Sequence, residues 1–278
     1  MSTYRDLLQA ACEHLEKHGI ADAEMDAWFL LAHVFGINRV DYLLDGQKEL
    51  QKDKTLEYME LVRKRASHIP LQHLTGTQEF MGLEFEVNEH VLIPRQDTEI
   101  LVEEVLRVSE DKSVLDLCTG SGCILISLAR LGRIKSGVGI DISDNALLVA
   151  GRNAKKLNAE VTLINSDLYK NVGGKYDIIV SNPPYIKTTD LVSLMPEVRD
   201  HEPRPALEGG RDGLTFYRRI IKDLDRFLNP GGYVFFEIGY DQGEAVKKML
   251  QLAGFIDVCI KKDFSGHDRV VYGQRPFL

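Results

Sequence analysis

The chain has 278 residues, 44% hydrophobic and 27% charged, with a formal net charge of −8. That length suits two globular domains, and the acidic balance argues against tight non-specific binding to nucleic acid, which needs a basic surface. No apolar run reaches the roughly 18 residues of a membrane span, and the first residues lack a signal-peptide core, so no membrane association and a cytoplasmic location are expected.

Residues 1–72 read as a helical bundle. Tyr4, Leu7, Leu8, Ala11 and Leu15 recur at helical spacing before Gly19. Met25, Trp28, Phe29, Ala32 and Phe35 mark a second amphipathic helix ended by Gly36, with Trp28 expected in the core. Val40, Leu43 and Leu44 mark a third, and Leu56, Met59, Val62 and Ala66 a fourth. Arg63, Lys64 and Arg65 read as a solvated face. Residues 73–92 read as a linking hairpin, with Phe80 and Phe85 flanking Met81-Gly82. Residues 93–278 form the second domain. At its start, Thr98 or Asp97 is placed to cap a helix carrying Ile100, Leu101, Val105 and Leu106. Arg95 and Glu99 can pair with each other or reach a site.

From residue 112 strands alternate with helices: Val114 to Leu117, Gly137 to Asp141, Val161 to Asn165, Asp177 to Val180 and Tyr233 to Ile238 are strand-like. Phe255 to Ile260 and Arg269 to Gly273 read as a closing antiparallel pair. The expected fold is α/β: a doubly wound, mostly parallel, Rossmann-like sheet. Four cysteines (Cys12, Cys118, Cys123, Cys259) form no CxxC pair, so reduced thiols and no metal site are expected.

The first strand-to-helix turn reads Asp116-Leu117-Cys118-Thr119-Gly120-Ser121-Gly122. Glycines there let a backbone approach a ligand at a helix N-terminus. The third glycine of the dinucleotide fingerprint is missing, and no phosphate-loop lysine follows. Three aspartates close successive strands instead. Asp116 is placed for an ammonium group, Asp141 for ribose hydroxyls, and Asp167 for an adenine amino group. A nucleoside joined to an amino acid describes S-adenosylmethionine. The candidate cofactor set is Asp116, Cys118, Thr119, Gly120, Ser121, Gly122, Asp141, Asp167, Leu168 and Asn182.

The β-branched strand at 177–181 runs into Asn182-Pro183-Pro184-Tyr185, a rigid extended lip. The Asn182 side-chain oxygen and the Pro183 carbonyl present two acceptors for a planar –NH₂ group. Tyr185 can lie over its face. Such a grip raises electron density on a poorly nucleophilic nitrogen and stabilises the positive charge of alkylation. Asn182, Pro183, Pro184 and Tyr185 are the candidate catalytic residues. His201 and His267 are weaker candidates as bases.

The DLCTGSGC loop, Asp141 and NPPY resemble class I S-adenosylmethionine-dependent methyltransferases acting on an amide or amino nitrogen. NPPY is shared by adenine-N6 DNA methyltransferases and by the PrmC/HemK family of release-factor glutamine-N5 methyltransferases. The stretches IPRQDTE at 93–99, EPRPALEGGRDGL at 202–214 and KDFSGHDR at 262–269 resemble the PrmC/HemK family, as do the helical domain and hairpin. Gln96-Asp97 departs from it, since Pro-Glu is usual there. The resemblance implies methyl transfer to the glutamine of the GGQ loop in class 1 peptide-chain release factors, held partly by the helical domain. A seven-stranded sheet, a monomer and no stable nucleic-acid partner are expected. An adenine-N6 methyltransferase would need a basic cleft and a larger target-recognition region. A non-catalytic cofactor-binding module would not need NPPY.

Overall fold

The computed structural model describes residues 3–46 and 50–277. The chain divides into two compact units, residues 1–77 with 195–201, and residues 78–194 with 202–278. Among the described residues no helix is long and apolar enough to cross a membrane.

The first unit is helical. Its helices are Tyr4–Lys17, Ala23–Phe35, Arg39–Asp45, Lys52–Ala66 and Leu71–Thr75, joined by the short Pro196–His201. Thr3 and Asp6 form a capping box at the first start. The second helix stops at Gly36, whose φ of 66° is left-handed. The core holds Leu7, Ala11, Leu15, Ala27, Leu30, Leu31, Tyr58 and Val62, and Trp28 is buried with them. The expected face of the second helix is rotated: Met25 and Phe29 are exposed, while Ala27, Leu30, Leu31 and Val34 point inward. This helix packs against both Tyr4–Lys17 and Lys52–Ala66, so its buried arc is wider than one stripe. Val40, Leu43, Leu44 and Leu56 are also exposed.

Arg65 is not on a solvated face. It follows Tyr58 and Val62 at helical spacing and is buried with them. Its Nε donates to Asp26 Oδ2 at 2.6 Å, its Nη2 to Glu197 Oε1 at 3.0 Å and its Nη1 to the Ile69 carbonyl at 3.3 Å. Burial raises the pKa of Asp26 although Arg65 opposes the rise.

A hairpin of β1 (Thr77–Phe80) and β2 (Leu83–Glu86) follows, all but its first residue in the second unit. Met81 and Gly82 both adopt positive φ, the geometry of a tight two-residue hairpin turn. Phe80 and Phe85 are buried edge to face at 6.0 Å and pack with Ile100, Leu101 and Val105.

The strands β3 (Ser113–Leu117), β4 (Ser136–Asp141), β5 (Thr162–Asn165), β6 (Tyr176–Ser181), β7 (Leu228–Glu237), β8 (Ile256–Lys262) and β9 (Asp268–Gln274) make one sheet in the order β5-β4-β3-β6-β7-β9-β8. All neighbours are parallel except β9, which runs antiparallel to β7 and β8. Helices Gln96–Leu106, Cys123–Leu131, Asp144–Lys156, Thr215–Phe227 and Gly243–Leu252 accompany the sheet. Strand order reverses between β3 and β6, so their carboxyl ends part and leave a crevice. The expected doubly wound, seven-stranded sheet with an antiparallel closing pair is present.

Candidate active site

The crevice is a cavity of about 690 Å³ at the carboxyl ends of β3, β4, β5 and β6. Cys118, Thr119, Gly120, Ser121, Asp141, Asp167, Leu168, Asn182 and Pro184 line it. One cavity therefore joins the glycine loop, two of the three strand-end aspartates and the first part of the lip.

Local chemistry shapes its floor. Cys118 and Leu168 have φ of 63° and 51°, a left-handed conformation that costs a side-chain-bearing residue energy and is found at ligand sites. The Asp141 carboxylate accepts from the backbone N–H of Gly120 through Oδ2 and of Ser143 through Oδ1, each at 2.9 Å. Burial raises its pKa and the amides oppose the rise. Asn153, fully buried, donates to the Ser121 carbonyl at 2.9 Å and holds the loop from the helix Asp144–Lys156. A Cβ on Gly139 would meet the Thr119 hydroxyl at 2.9 Å, so strand and loop need a bare backbone there.

Asp116, Gly122, Pro183 and Tyr185 are not on the cavity wall. Asp116 is fully buried below the loop, where its Oδ2 accepts from the Thr119 hydroxyl at 2.6 Å. Its Oδ1 is buried with no partner. Burial lifts its pKa to about 7 against the Thr119 hydrogen bond, with Asp141 adding to the rise. Asp167 is on the wall, with its Oδ1 paired to Arg219 at 2.7 Å. The Tyr185 ring packs against the sheet core, and its hydroxyl donates to Glu237 Oε1 at 3.3 Å. The phenol is anchored there because a buried carboxyl lies within its reach.

Thr98 and Asp97 do not cap their helix. It starts at Gln96, after Arg95, with no side-chain cap. Thr98 is buried, and its Oγ1 accepts from Asn182 Nδ2 at 3.4 Å. Asp97 pairs with Arg269 at 3.1 Å. Arg95 and Glu99 do not meet: Arg95 lines the cavity and pairs with buried Glu202, whereas Glu99 accepts from the Met81 N–H at 2.5 Å. Of the two histidines, His267 is exposed and lies 3.9 Å from Asp263, and neither lines the cavity.

The lip is braced from behind by residues that sequence reading passed over. Gln242 Nε2 donates to the carbonyls of Tyr185 at 3.0 Å and Gly213 at 3.3 Å, and its Oε1 accepts from Gly239 N at 3.0 Å. Ile186 N donates to the Leu207 carbonyl at 2.9 Å and Gly209 N to that of Ile186 at 2.8 Å. A Cβ on Gly209 would stand 2.6 Å from Tyr185 Cα and 2.8 Å from the Pro184 carbonyl oxygen. No local pattern marks Gln242 as a partner of Tyr185, 57 residues away. Gly209 and Gly213 sit in the 202–214 stretch that carries part of the family resemblance.

Two family models match the chain, the PrmC N-terminal domain over residues 6–76 and the methyltransferase small domain over residues 95–196. A release factor glutamine methyltransferase of Geobacter sulfurreducens is 43% identical over 274 residues, covering 98% of this chain and 96% of its own. The chain belongs to the release factor glutamine methyltransferase family. A second member, from Caulobacter vibrioides, is 40% identical and covers 96% of this chain and 94% of its own. A methyltransferase structure from Pyrococcus furiosus shares the fold, with a TM-score of 0.56 at 20% identity over 71% of this chain and 91% of its own. Within the family the resemblance spans both units, so the helical unit is part of the shared design.

Proposed function

We propose that this chain transfers a methyl group from S-adenosylmethionine to the side-chain amide nitrogen of the GGQ glutamine in class 1 peptide-chain release factors. The observation that carries the reading is the single cavity joining the Asp141 carboxylate to Asn182. The donor set fits the cofactor. Asp141 keeps lone pairs beyond its two backbone contacts for ribose hydroxyls. Ile140, Ile142, Leu168 and Phe216 offer apolar walls for a purine. The buried, unpartnered Asp116 Oδ1 lies beneath the loop, a polar atom still lacking a partner.

When bound, S-adenosylmethionine supplies an electrophilic methyl group. The chain's own residues do the rest by positioning. The bond between Asn182 Nδ2 and Thr98 turns Asn182 Oδ1 away from Thr98, free to accept one amide N–H of the target glutamine. The Pro183 carbonyl, next in the chain to Asn182 but off the cavity wall, is proposed as the second acceptor. Held by both, the nitrogen cannot rotate, and the positive charge it gains on methylation faces two oxygens. The extra proton then leaves to water, which calls for no dedicated base. The helical unit is proposed to hold the release factor, since the cofactor cavity lies within the second unit.

The test is incubation with methyl-labelled S-adenosylmethionine and either a class 1 release factor or duplex DNA. Label is expected in the release factor, and to disappear when the GGQ glutamine is replaced. Label in DNA alone would overturn the reading.

A further inference from the structure

Parts of residues 90–98 and 203–210 also line the cavity, outside the set proposed for the cofactor. Pro94, Pro203 and Pro205 stand among them, and a proline has no backbone N–H to give. Hydrogen-bond donors on this wall are therefore chiefly side chains, above all Arg95 and Arg204. The two arginines differ in how firmly they are held. Arg95 Nη2 donates to Glu202 Oε1, and the Glu202 side chain is 1% exposed. The second oxygen of that carboxyl is buried without a hydrogen-bond partner, a placement that costs free energy and yields a fixed guanidinium. Arg204 bonds Glu208 at 2.9 Å, but its side chain is 69% exposed, so its position is loosely set.

The helix Gln96–Leu106 brings Arg95 beside the lip. Thr98 N donates to the Arg95 carbonyl at 3.0 Å in the first turn. Residues three apart share one side of a helix, and the Thr98 hydroxyl accepts from Asn182 Nδ2 at 3.4 Å. Arg95 and Asn182 thus border the same part of the cavity. A guanidinium carries five N–H donors in one plane. Glu202 engages one nitrogen, and Arg95, 40% exposed in its side chain, keeps the rest for a ligand.

We propose that Arg95, held by Glu202, binds a backbone carbonyl of the two glycines that precede the target glutamine. Glycines have no side chain, so only carbonyls and N–H groups can mark them, and a guanidinium is a donor for a carbonyl. Charge points the same way. Each arginine on the wall faces a carboxylate: Arg95 pairs with Glu202, Arg204 with Glu208 and Arg219 with Asp167. A wall neutralised like this does not gather phosphates, which need unpaired cations, and a neutral carbonyl suits it. With a glycine carbonyl fixed at Arg95, the glutamine side chain is the group left to reach Asn182. The carbonyl does not react, so its bond is the same in the ground state and the transition state. Such a bond lowers KM and leaves kcat alone.

This inference rests on the release-factor reading, and one assay separates the two: methyl transfer to a class 1 release factor at saturating cofactor. Wild-type protein that labels no release factor overturns that reading and this one with it. Labelling by the wild type with an unchanged KM in the variants overturns this one alone. Arg95→Met should raise the KM for release factor by roughly 10- to 150-fold, the scale of one hydrogen bond from a charged group. Its kcat and its cofactor Kd should stay at wild-type values. The KM ratio to wild type should be the same at low and high salt, since a neutral carbonyl is not screened as an acidic side chain is. A ratio that collapses at high salt overturns the proposal, because the partner would then be an anion. So does a loss confined to kcat or to cofactor affinity. Glu202→Gln keeps the donor but loosens it, and should raise KM by about 2- to 10-fold, the scale of an ordinary hydrogen bond; an unchanged KM overturns the holding role of Glu202. Should Arg95→Met not fold with Glu202 left unpaired, Arg95→Met combined with Glu202→Gln removes both charges, and a wild-type KM in that double variant overturns the proposal.

Discussion

Replacing Gly209 by alanine puts one methyl group between two backbones. The added Cβ would lie 2.6 Å from Tyr185 Cα and 2.8 Å from the Pro184 carbonyl oxygen, where ordinary contact is 3.4–4 Å. Neither neighbour is the end of a flexible side chain, so the strand of the lip must retreat by about 1 Å to restore normal contact. Overpacking of this kind costs about 1–3 kcal/mol of stability. Its larger effect falls on chemistry, because a misplacement of about 1 Å at a reacting group costs on the order of 100-fold in rate. Gly209→Ala should therefore fold with a lowered Tm, bind S-adenosylmethionine with nearly wild-type affinity because the glycine loop is untouched, and lose about 100-fold in methyl transfer. The measurements are Kd by calorimetry and single-turnover rates at saturating cofactor, which keep binding losses apart from chemical ones. A rate within about threefold of wild type would show that the packing of Gly209 on Tyr185 does not hold the lip in place, and the bracing argument would fall.

Asp141→Asn should weaken cofactor binding by roughly 10- to 150-fold, the equivalent of about 1.5–3 kcal/mol for a hydrogen bond to a charged group. Its NH₂ would also oppose one of the two backbone N–H groups that Asp141 now accepts, and an unchanged Kd would show the residue to be structural only. Tyr185→Phe should cost about 1–3 kcal/mol in chemical denaturation, since it strips the buried Glu237 carboxylate of a donor; wild-type stability would mean that this hydrogen bond contributes nothing. Arg65→Met should cost about 3–5 kcal/mol, because it leaves Asp26 buried and unpaired. The sole tryptophan, Trp28, is buried in the same unit and reports its unfolding by fluorescence; a loss below about 1 kcal/mol would contradict the buried-pair account.

What could be read in advance follows the reach of the signals. Most of the glycine loop, Asp141, Asp167, Asn182 and Pro184 reach one cavity wall because each lies within a few residues of a strand end, where backbone chemistry is local. The sheet is legible for the same reason: β-branched runs such as Asp177 to Val180 alternate with helical periods, and right-handed crossovers leave few orders for the strands. Arg65 misleads because a charged residue at helical spacing from Tyr58 and Val62 looks solvated until its partners, Asp26 and Glu197, arrive from 39 and 132 residues away.

The residues behind the lip belong to tertiary structure alone. Thr98 looks like a cap in sequence, and only the meeting of its helix with the end of β6 makes it the partner of Asn182. Tyr185 looks free to stack, and only the neighbouring strand β7 brings Glu237 to its hydroxyl across 52 residues. Gln242 reads as an ordinary polar residue until the fold buries it between Gly213 and Tyr185. The physical reason is common to all three. A strand end states which groups it offers, but what satisfies those groups once water is gone is settled by whichever segments the sheet packs beside them.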